Sequence, residues 1–218
     1  MRQLGGCQVN QLVRGGIAAL VAAAAVPARA EAQVALVPTI GYYWPVGGWG
    51  PEADDGTGFP LRRQLSAAIL GARLSFPASK HVSIEGSFGA SPSQVAVSRV
   101  TGTTDYNGAV YLGSVRAVWK FGTLVDGPSF NQTHWDMLLG GGVGIVHRTS
   151  GGWEGMSGLT TPALNLIASV RLGTFHFTFE DFISWAQYGS DTDPNQTEMR
   201  MHNDLVGSVG FSLPLGSR

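Results

Sequence analysis

The stretch Tyr111-Leu-Gly-Ser-Val-Arg-Ala-Val-Trp-Lys-Phe121 alternates in character from one residue to the next. One set of alternate positions includes Tyr111, Trp119 and Phe121, whereas the other set carries Arg116 and Lys120. Successive side chains of a β-strand point to opposite faces of the sheet, so an alternation with a period of two predicts a strand. This segment is therefore expected to have one apolar face and one small, polar or charged face.

The same alternation recurs along the chain and predicts an all-β fold of eight strands. The predicted strands cover about 34–44, 65–76, 82–90, 110–121, 135–147, 163–172, 175–185 and 204–213. Long connections are expected at 45–64, 91–109, 148–162 and 186–203, and shorter ones at 77–81, 122–134 and 173–174. Long loops at one end and short turns at the other predict an eight-stranded antiparallel up-and-down barrel.

Two of the predicted strands are less regular than the others. The first contains Pro38, and the fifth contains the run Gly140-Gly-Gly142. Their apolar faces are assigned by continuity with neighbouring strands. The glycines are expected to allow close backbone packing in the barrel wall.

Alternation alone leaves open which face of the barrel is the interior. A soluble ligand-binding barrel in the periplasm would turn its apolar face inward, whereas a transmembrane barrel turns it outward into lipid. Charged residues make up 13% of the chain, about half the ~25% of an ordinary soluble domain. Aromatic residues near the strand ends resemble an interfacial girdle. They are Tyr42, Trp44, Phe76, Trp119, Phe121, Trp135, Phe175 and Trp185. The sequence therefore favours the transmembrane barrel.

The amino-terminal region has the pattern of a cleavable secretory signal peptide. Basic residues precede the apolar run Ile17–Val26, which is too short to span a bilayer. Small residues allow cleavage after Ala30 or Ala32, and the second site is preferred. The sequence thus divides into a signal peptide, 1–32, and a barrel domain, 33–218. The formal net charge of −1 provides no basic field for nucleic acid, which is not an expected partner.

The face opposite the apolar one carries four basic and four acidic residues. They are Arg73, Glu85, Arg116, Lys120, Asp136, Arg171, Glu180 and Asp204. An eight-stranded barrel has room only for side chains inside, and buried charges must be paired. We expect a salt-bridged lumenal plug, with Glu85 between Arg73 and Arg116 and with Glu180 beside Arg171. A proton or ion path through the plug is the alternative.

No catalytic residue, metal site or cofactor is expected. His176, Glu180 and Ser184 share one strand face, but residues four apart on a strand are separated by ~13 Å. A nucleophile and its base must approach within hydrogen-bonding distance, so this strand alone cannot assemble a triad. His176 is expected to be a lumenal hydrogen-bonding partner.

The chain resembles the small eight-stranded outer-membrane barrels of the OmpA/OmpX type. The resemblance is carried by the segment 111–121, by Leu139-Gly-Gly-Gly-Val-Gly-Ile145 and by Phe177-Thr-Phe-Glu-Asp-Phe182. It implies a monomeric protein of the Gram-negative outer membrane with a structural, adhesive or surface-interaction role. The implied partners are outer-membrane lipid and lipopolysaccharide, together with the outer-membrane assembly machinery. A lipid-modifying barrel enzyme similar to lipid A deacylase is the alternative function.

The carboxyl terminus departs from the pattern of this family. Such barrels usually end in an aromatic residue that the assembly machinery recognises, whereas this chain ends Gly210-Phe-Ser-Leu-Pro-Leu-Gly-Ser-Arg218. If Phe211 and Leu213 form the insertion signal, the residues after Pro214 are an additional tail.

Overall fold

The computed structural model describes residues 33–47, 61–99, 102–126, 133–150, 152, 159–188 and 198–216. The expected signal peptide, 1–32, lies outside the described residues. The strands are β1 (Val34–Val46), β2 (Leu61–Gln64), β3 (Ala67–Pro77), β4 (Val82–Ser91), β5 (Gln94–Arg99), β6 (Gly102–Asp126), β7 (Thr133–Ser150), β8 (Thr160–Leu172), β9 (Phe175–Tyr188), β10 (Glu198–Phe211) and β11 (Leu213–Leu215).

Eight of these strands close into the expected barrel. In chain order they are β1, β3, β4, β6, β7, β8, β9 and β10, and each pairs antiparallel with the next. The ring closes because β10 also pairs with β1, with Thr39 opposite Gly210 and Val46 opposite Asn203. Closure leaves none of these eight strands as a sheet edge. Among the described residues, no helix is long and apolar enough to cross a bilayer.

Short turns gather at one end of the barrel, here called the short-turn end. The hydroxyl oxygen of Ser79 accepts hydrogen bonds from the backbone N–H groups of His81 and Val82, at 3.2 and 3.0 Å. Gly173, between β8 and β9, has a φ of 58°, a left-handed conformation that glycine adopts without a Cβ penalty. The opposite end, here called the long-loop end, carries the longer connections, as the sequence predicts.

Several expected connections differ from the structure. The connection 45–64 contains β2, and the connection 186–203 is shorter because β10 begins at Glu198. The region 91–109 contains β5 and the start of β6, which form a hairpin that pairs with β2 beyond the barrel. The connection 122–134 is also shorter than expected, since β6 continues to Asp126 and β7 begins at Thr133. A register shift between Lys120 and Gly122 interrupts the simple alternation there, because a bulge inserts an extra residue into one strand.

The apolar faces point outward, as expected for a barrel in lipid. Val143 and Ile40 are 66% and 61% exposed, whereas Tyr43 on the alternate face of β1 is fully buried. The arrangement is the reverse of a soluble ligand-binding barrel.

One layer of the lumen is apolar, which the sequence analysis did not predict. The residues of this layer are Tyr43, Ile69, Val110, Leu112, Val146, Ala163, Phe182 and Val206. On β9, Phe182 lies between Glu180 and Ser184, and on β10, Val206 lies between Asp204 and Ser208. The layer therefore separates the polar side chains in the middle of the lumen from those near the long-loop end.

Candidate functional site: the ion-paired lumen

Arg116 is the centre of the charge cluster in the middle of the lumen. Its side chain is completely buried and lies between two carboxylates on different strands. Nη1 is 2.5 Å from Oε2 of Glu180 on β9, and Nη2 is 3.4 Å from Oε2 of Glu85 on β4. The guanidinium thus connects opposite walls of the barrel through charge-assisted hydrogen bonds.

Neutral polar side chains complete the surroundings of Arg116. Its Nη1 donates to Oδ1 of Asn165 at 2.8 Å and lies 3.2 Å from the hydroxyl oxygen of Ser114. The hydroxyl groups of Ser87 and Ser114 are 2.7 Å apart. Because a buried ion pair is stabilising only when its remaining hydrogen-bonding groups are also satisfied, these residues belong to the same site as the charges.

Gly142 packs closely against the backbone of Arg116, because glycine has no Cβ atom. The two residues are paired across β7 and β6. A Cβ atom on Gly142 would lie 2.5 Å from the Cα atom of Arg116 and would also overlap the carbonyl oxygen of Val115. The expected close backbone packing at the glycine run is therefore confirmed, and it allows a long side chain to cross a narrow lumen.

A second cluster lies at the short-turn end. Arg171 contacts Asp136 through Nε at 3.0 Å and through Nη2, and Nζ of Lys120 is 3.5 Å from the same carboxylate. The side chain of Arg171 is 39% exposed, so this pair is partly hydrated. The prediction that Glu180 pairs with Arg171 is wrong, because the register places Asp136 directly opposite Arg171.

The predicted pairing of Glu85 with both neighbouring arginines is half right. The register places Glu85 opposite Arg116, and the two side chains form an ion pair. Arg73, by contrast, is opposite Ser87, and no ion pair to Arg73 is found within the described part of the chain. Arg73 is only 4% exposed, so its charged group lies inside the barrel.

A third cluster near the long-loop end includes a residue that the sequence analysis missed. Arg148 of β7 forms an ion pair with Asp204 of β10, and the hydroxyl of Tyr43 donates to Asp204 Oδ1 at 2.5 Å. Arg148 was assigned to a long loop, but β7 extends to Ser150. The alternation of Gly144, Val146 and Arg148 along the inward face is the signal that could have identified it.

The candidate catalytic residues His176, Glu180 and Ser184 all lie on β9, but each has different neighbours. The ring Nε2 of His176 is 2.6 Å from the hydroxyl oxygen of Ser212, near the short-turn end. The hydroxyl of Thr178 is 3.0 Å from that of Ser169. Ser184 lies opposite Ala163 on β8 and His202 on β10. His176 is therefore a lumenal hydrogen-bonding partner, as predicted.

The predicted aromatic girdle residues lie on the outer face at both ends. Tyr42, Trp44 and Trp185 are near the long-loop end, and Trp119, Phe121, Trp135, Phe175 and the half-buried Phe76 are near the short-turn end. The sequence analysis missed an aromatic row on β4, β6 and β7. Tyr111 stacks with Phe88 at 6.3 Å and with His147 at 6.0 Å between ring centroids.

One polar pair interrupts the outer face. Asp181 of β9 and Asn203 of β10 point outward with their apolar neighbours, and Nδ2 of Asn203 donates to Oδ2 of Asp181 at 3.0 Å. The hydrogen bond reduces the cost of placing a carboxyl group on an apolar wall.

No family model matches the chain, and no curated protein matches it in sequence. Among solved structures, it is similar to the outer membrane protein OprG from Pseudomonas aeruginosa, with 9% identity, a TM-score of 0.51 and coverage of 84% of this chain and 97% of that chain. It is also similar to the outer membrane protein AlkL, with 13% identity, a TM-score of 0.44 and coverage of 85% and 93%. For Ail of Yersinia pestis the identity is 12%, the TM-score 0.40 and the coverage 84% and 99%. The OprG match confirms the fold of a small outer-membrane barrel.

Proposed function

We propose that the chain is an outer-membrane barrel with a closed lumen and a structural, adhesive or surface-interaction role. The observation that carries this proposal is the distribution of side chains, with an exposed apolar outer wall and buried ion pairs inside. A lipid bilayer is the environment in which such an outer wall is stable. Outer-membrane lipid and lipopolysaccharide are the proposed partners of this wall, and the assembly machinery is the proposed partner during insertion.

The lumen is proposed to be a plug that holds the barrel together. Among the residues that the structure describes, three ion-paired clusters lie at different depths, and the apolar layer around Phe182 and Val206 separates two of them. Water and ions avoid a narrow apolar constriction. These features support a mechanical role for the lumen in preference to transport.

The surface-interaction role is proposed to reside at the long-loop end. There, β2, β5 and the first residues of β6 form a small sheet beyond the barrel. Side chains of this sheet are cross-linked by hydrogen bonds, with Ser98 and Thr103 hydroxyls 3.0 Å apart and Gln94 Nε2 donating to Asn107 at 3.1 Å. The exposed polar side chains of this sheet can form contacts with a partner outside the cell.

Cell fractionation combined with heat-dependent gel mobility tests the proposal. The protein is expected in the outer-membrane fraction and is expected to migrate faster before heating than after heating, because a barrel stays compact in cold detergent. Recovery from the soluble periplasmic fraction would contradict the proposal. Release of fatty acid from lipopolysaccharide by the purified protein would instead identify a lipid-modifying enzyme.

A further inference from the structure

The hydrogen-bonded pair of Asp181 and Asn203 lies within the apolar band of the outer wall. Along β9, Asp181 is six residues from the girdle residue Phe175 and four residues from the girdle residue Trp185. At ~3.3 Å per residue, these separations are ~20 Å and ~13 Å along the strand. The pair is therefore at the depth of the lipid acyl chains and not at the depth of the head groups.

The hydrogen-bonding groups of this pair are only partly satisfied. Asn203 donates to Oδ2 of Asp181, but Oδ1 of Asp181 has no hydrogen-bonding partner within the described part of the chain. An amide side chain has two N–H donors, so Asn203 has a second hydrogen to donate. Acyl chains offer neither donors nor acceptors, and ionisable groups at membrane depth usually face a partner. The pair therefore requires a polar partner that lipid does not supply.

The pair is complementary to a second copy of itself. In each chain the donor Nδ2 of Asn203 and the acceptor Oδ2 of Asp181 lie side by side, 3.0 Å apart. A two-fold rotation about an axis along the membrane normal brings the amide of one copy to the carboxylate of the other. The same rotation keeps both barrels in one orientation in the membrane. Each copy then supplies the donor that the other requires.

Apolar side chains surround the pair and provide a surface for packing across this axis. They are Phe179 and Ile183 on β9 and Met201 and Leu205 on β10. Phe179 and Met201 are 48% and 60% exposed. Lipid tails are as apolar as these side chains, so the apolar contact alone does not select a protein partner in the membrane. The polar pair in the middle of the patch provides that selectivity.

We propose that Asp181 and Asn203 form the centre of an interface between two copies of this chain in the membrane. Asn203 of each copy donates a hydrogen bond to the Asp181 carboxylate of the other copy, and the apolar side chains around the pair pack against one another. The protein is thus a dimer, where the family resemblance implies a monomer.

Oxidative cross-linking through single cysteines tests the location of the interface. The one natural cysteine, Cys7, lies in the expected signal peptide, so an introduced cysteine reports on its own position. Leu205→Cys places a thiol beside the proposed axis. Val115→Cys is the matched control, on the outer face of β6 and four strands from β10 around the ring. In isolated outer membranes we expect a covalent dimer from Leu205→Cys and none from Val115→Cys.

Energy transfer between labelled copies in liposomes tests the role of the polar pair. Donor and acceptor dyes are attached at Val115→Cys, away from the interface. Asp181→Leu should raise the dissociation constant of the dimer about tenfold, because it removes hydrogen bonds to a charged group. Asp181→Asn, which still accepts a hydrogen bond, should retain most of the association. Migration before heating shows that each variant is a folded barrel, so loss of the dimer is distinguished from loss of the fold.

Three results would overturn the proposal. They are equal cross-linking at Leu205→Cys and Val115→Cys, an unchanged dissociation constant in Asp181→Leu, and a cross-link from Leu205→Cys to a different protein in place of a second copy. Ile183→Cys, on the other side of the proposed axis, is measured in parallel. If Leu205→Cys does not fold, the absence of a covalent dimer from Ile183→Cys overturns the proposal instead.

Discussion

At the scale of single residues, the middle of the lumen depends on Arg116, which has a long side chain, and on Gly142 opposite it, which has none. Arg116 reaches Glu180 across the barrel because Gly142 presents no side chain on the facing strand. Polar residues around the guanidinium then accept hydrogen bonds from Nη1. A change at either residue should therefore affect the same cluster.

Gly142→Ala is expected to reduce the free energy of unfolding by about 2–3 kcal/mol, since the new methyl group meets backbone atoms that cannot move aside cheaply. Gly86→Ala is the matched control, because a Cβ atom there meets nothing within 4 Å. Urea titration, followed by gel mobility without heating, measures both variants in lipid or detergent. Equal stability of the two variants would show that the close approach at Gly142 is not a constraint.

Leu166→Arg tests the outward assignment of the apolar face. Leu166 is 51% exposed, and an arginine on the lipid face near the middle of the bilayer is expected to cost about 2–4 kcal/mol. Ser169→Arg introduces the same side chain on the lumenal face, where its effect comes from crowding and charge imbalance. Unfolding titrations in bilayers compare the two. A silent Leu166→Arg would mean that this face does not contact lipid.

At the scale of elements, the barrel and the small sheet beyond it depend on different contacts. The barrel ladder between β4 and β6 begins at Ser91 opposite Val110. The pairs from Gln94 opposite Asn107 outward belong to the small sheet. The small sheet is therefore an addition to a closed structure and not a part of the closure.

Replacing residues 95–106 by an Asn-Gly turn should leave the barrel intact, because Gln94 and Asn107 are already paired and Asn-Gly suits a two-residue hairpin. We expect the variant to keep its heat-dependent gel mobility and to change in stability by less than about 1 kcal/mol. The same replacement should abolish binding to any surface partner that uses the sheet. Loss of the compact form would show that the small sheet takes part in folding of the barrel.

A strand could be predicted from the sequence where one of its faces is apolar along its whole length. The outward residues of β8 alternate strictly, so its position and facing follow from the sequence. The start of β6 could not be found in this way, because both of its faces are polar beyond the barrel. The position of Arg73 opposite Ser87, and not beside Glu85, could not be predicted either, since it depends on the register between β3 and β4, and that register is a long-range property.

At the scale of the whole molecule, the lumen is a stack of layers. Ion pairs lie near each end and in the middle, and side chains such as Phe182 separate the middle cluster from the one near the long-loop end. A continuous water column would have to pass both the salt-bridged clusters and the apolar layer. Neither obstacle is removed without moving residues on several strands at once.

We therefore expect planar-bilayer recordings of the wild-type protein to show at most rare, small openings. Glu85→Ala should increase leakage or destabilise the barrel, since it leaves part of the Arg116 charge unpaired. Val143→Ala, on the outer face, serves as the control and should behave as the wild type does. Steady wild-type conductance of porin size would contradict the plugged lumen.

The pairing of β1 with β10 and β11 also determines when the protein can fold. The seam joins residues near the start of the barrel domain to those near its end, with Val34 opposite Leu215. Closing so long a loop costs more chain entropy than forming any neighbouring hairpin. Until the last strand is available for pairing, both outer strands remain open edges that attract other chains. The protein must therefore be kept apart from its neighbours until the whole barrel domain has been synthesised.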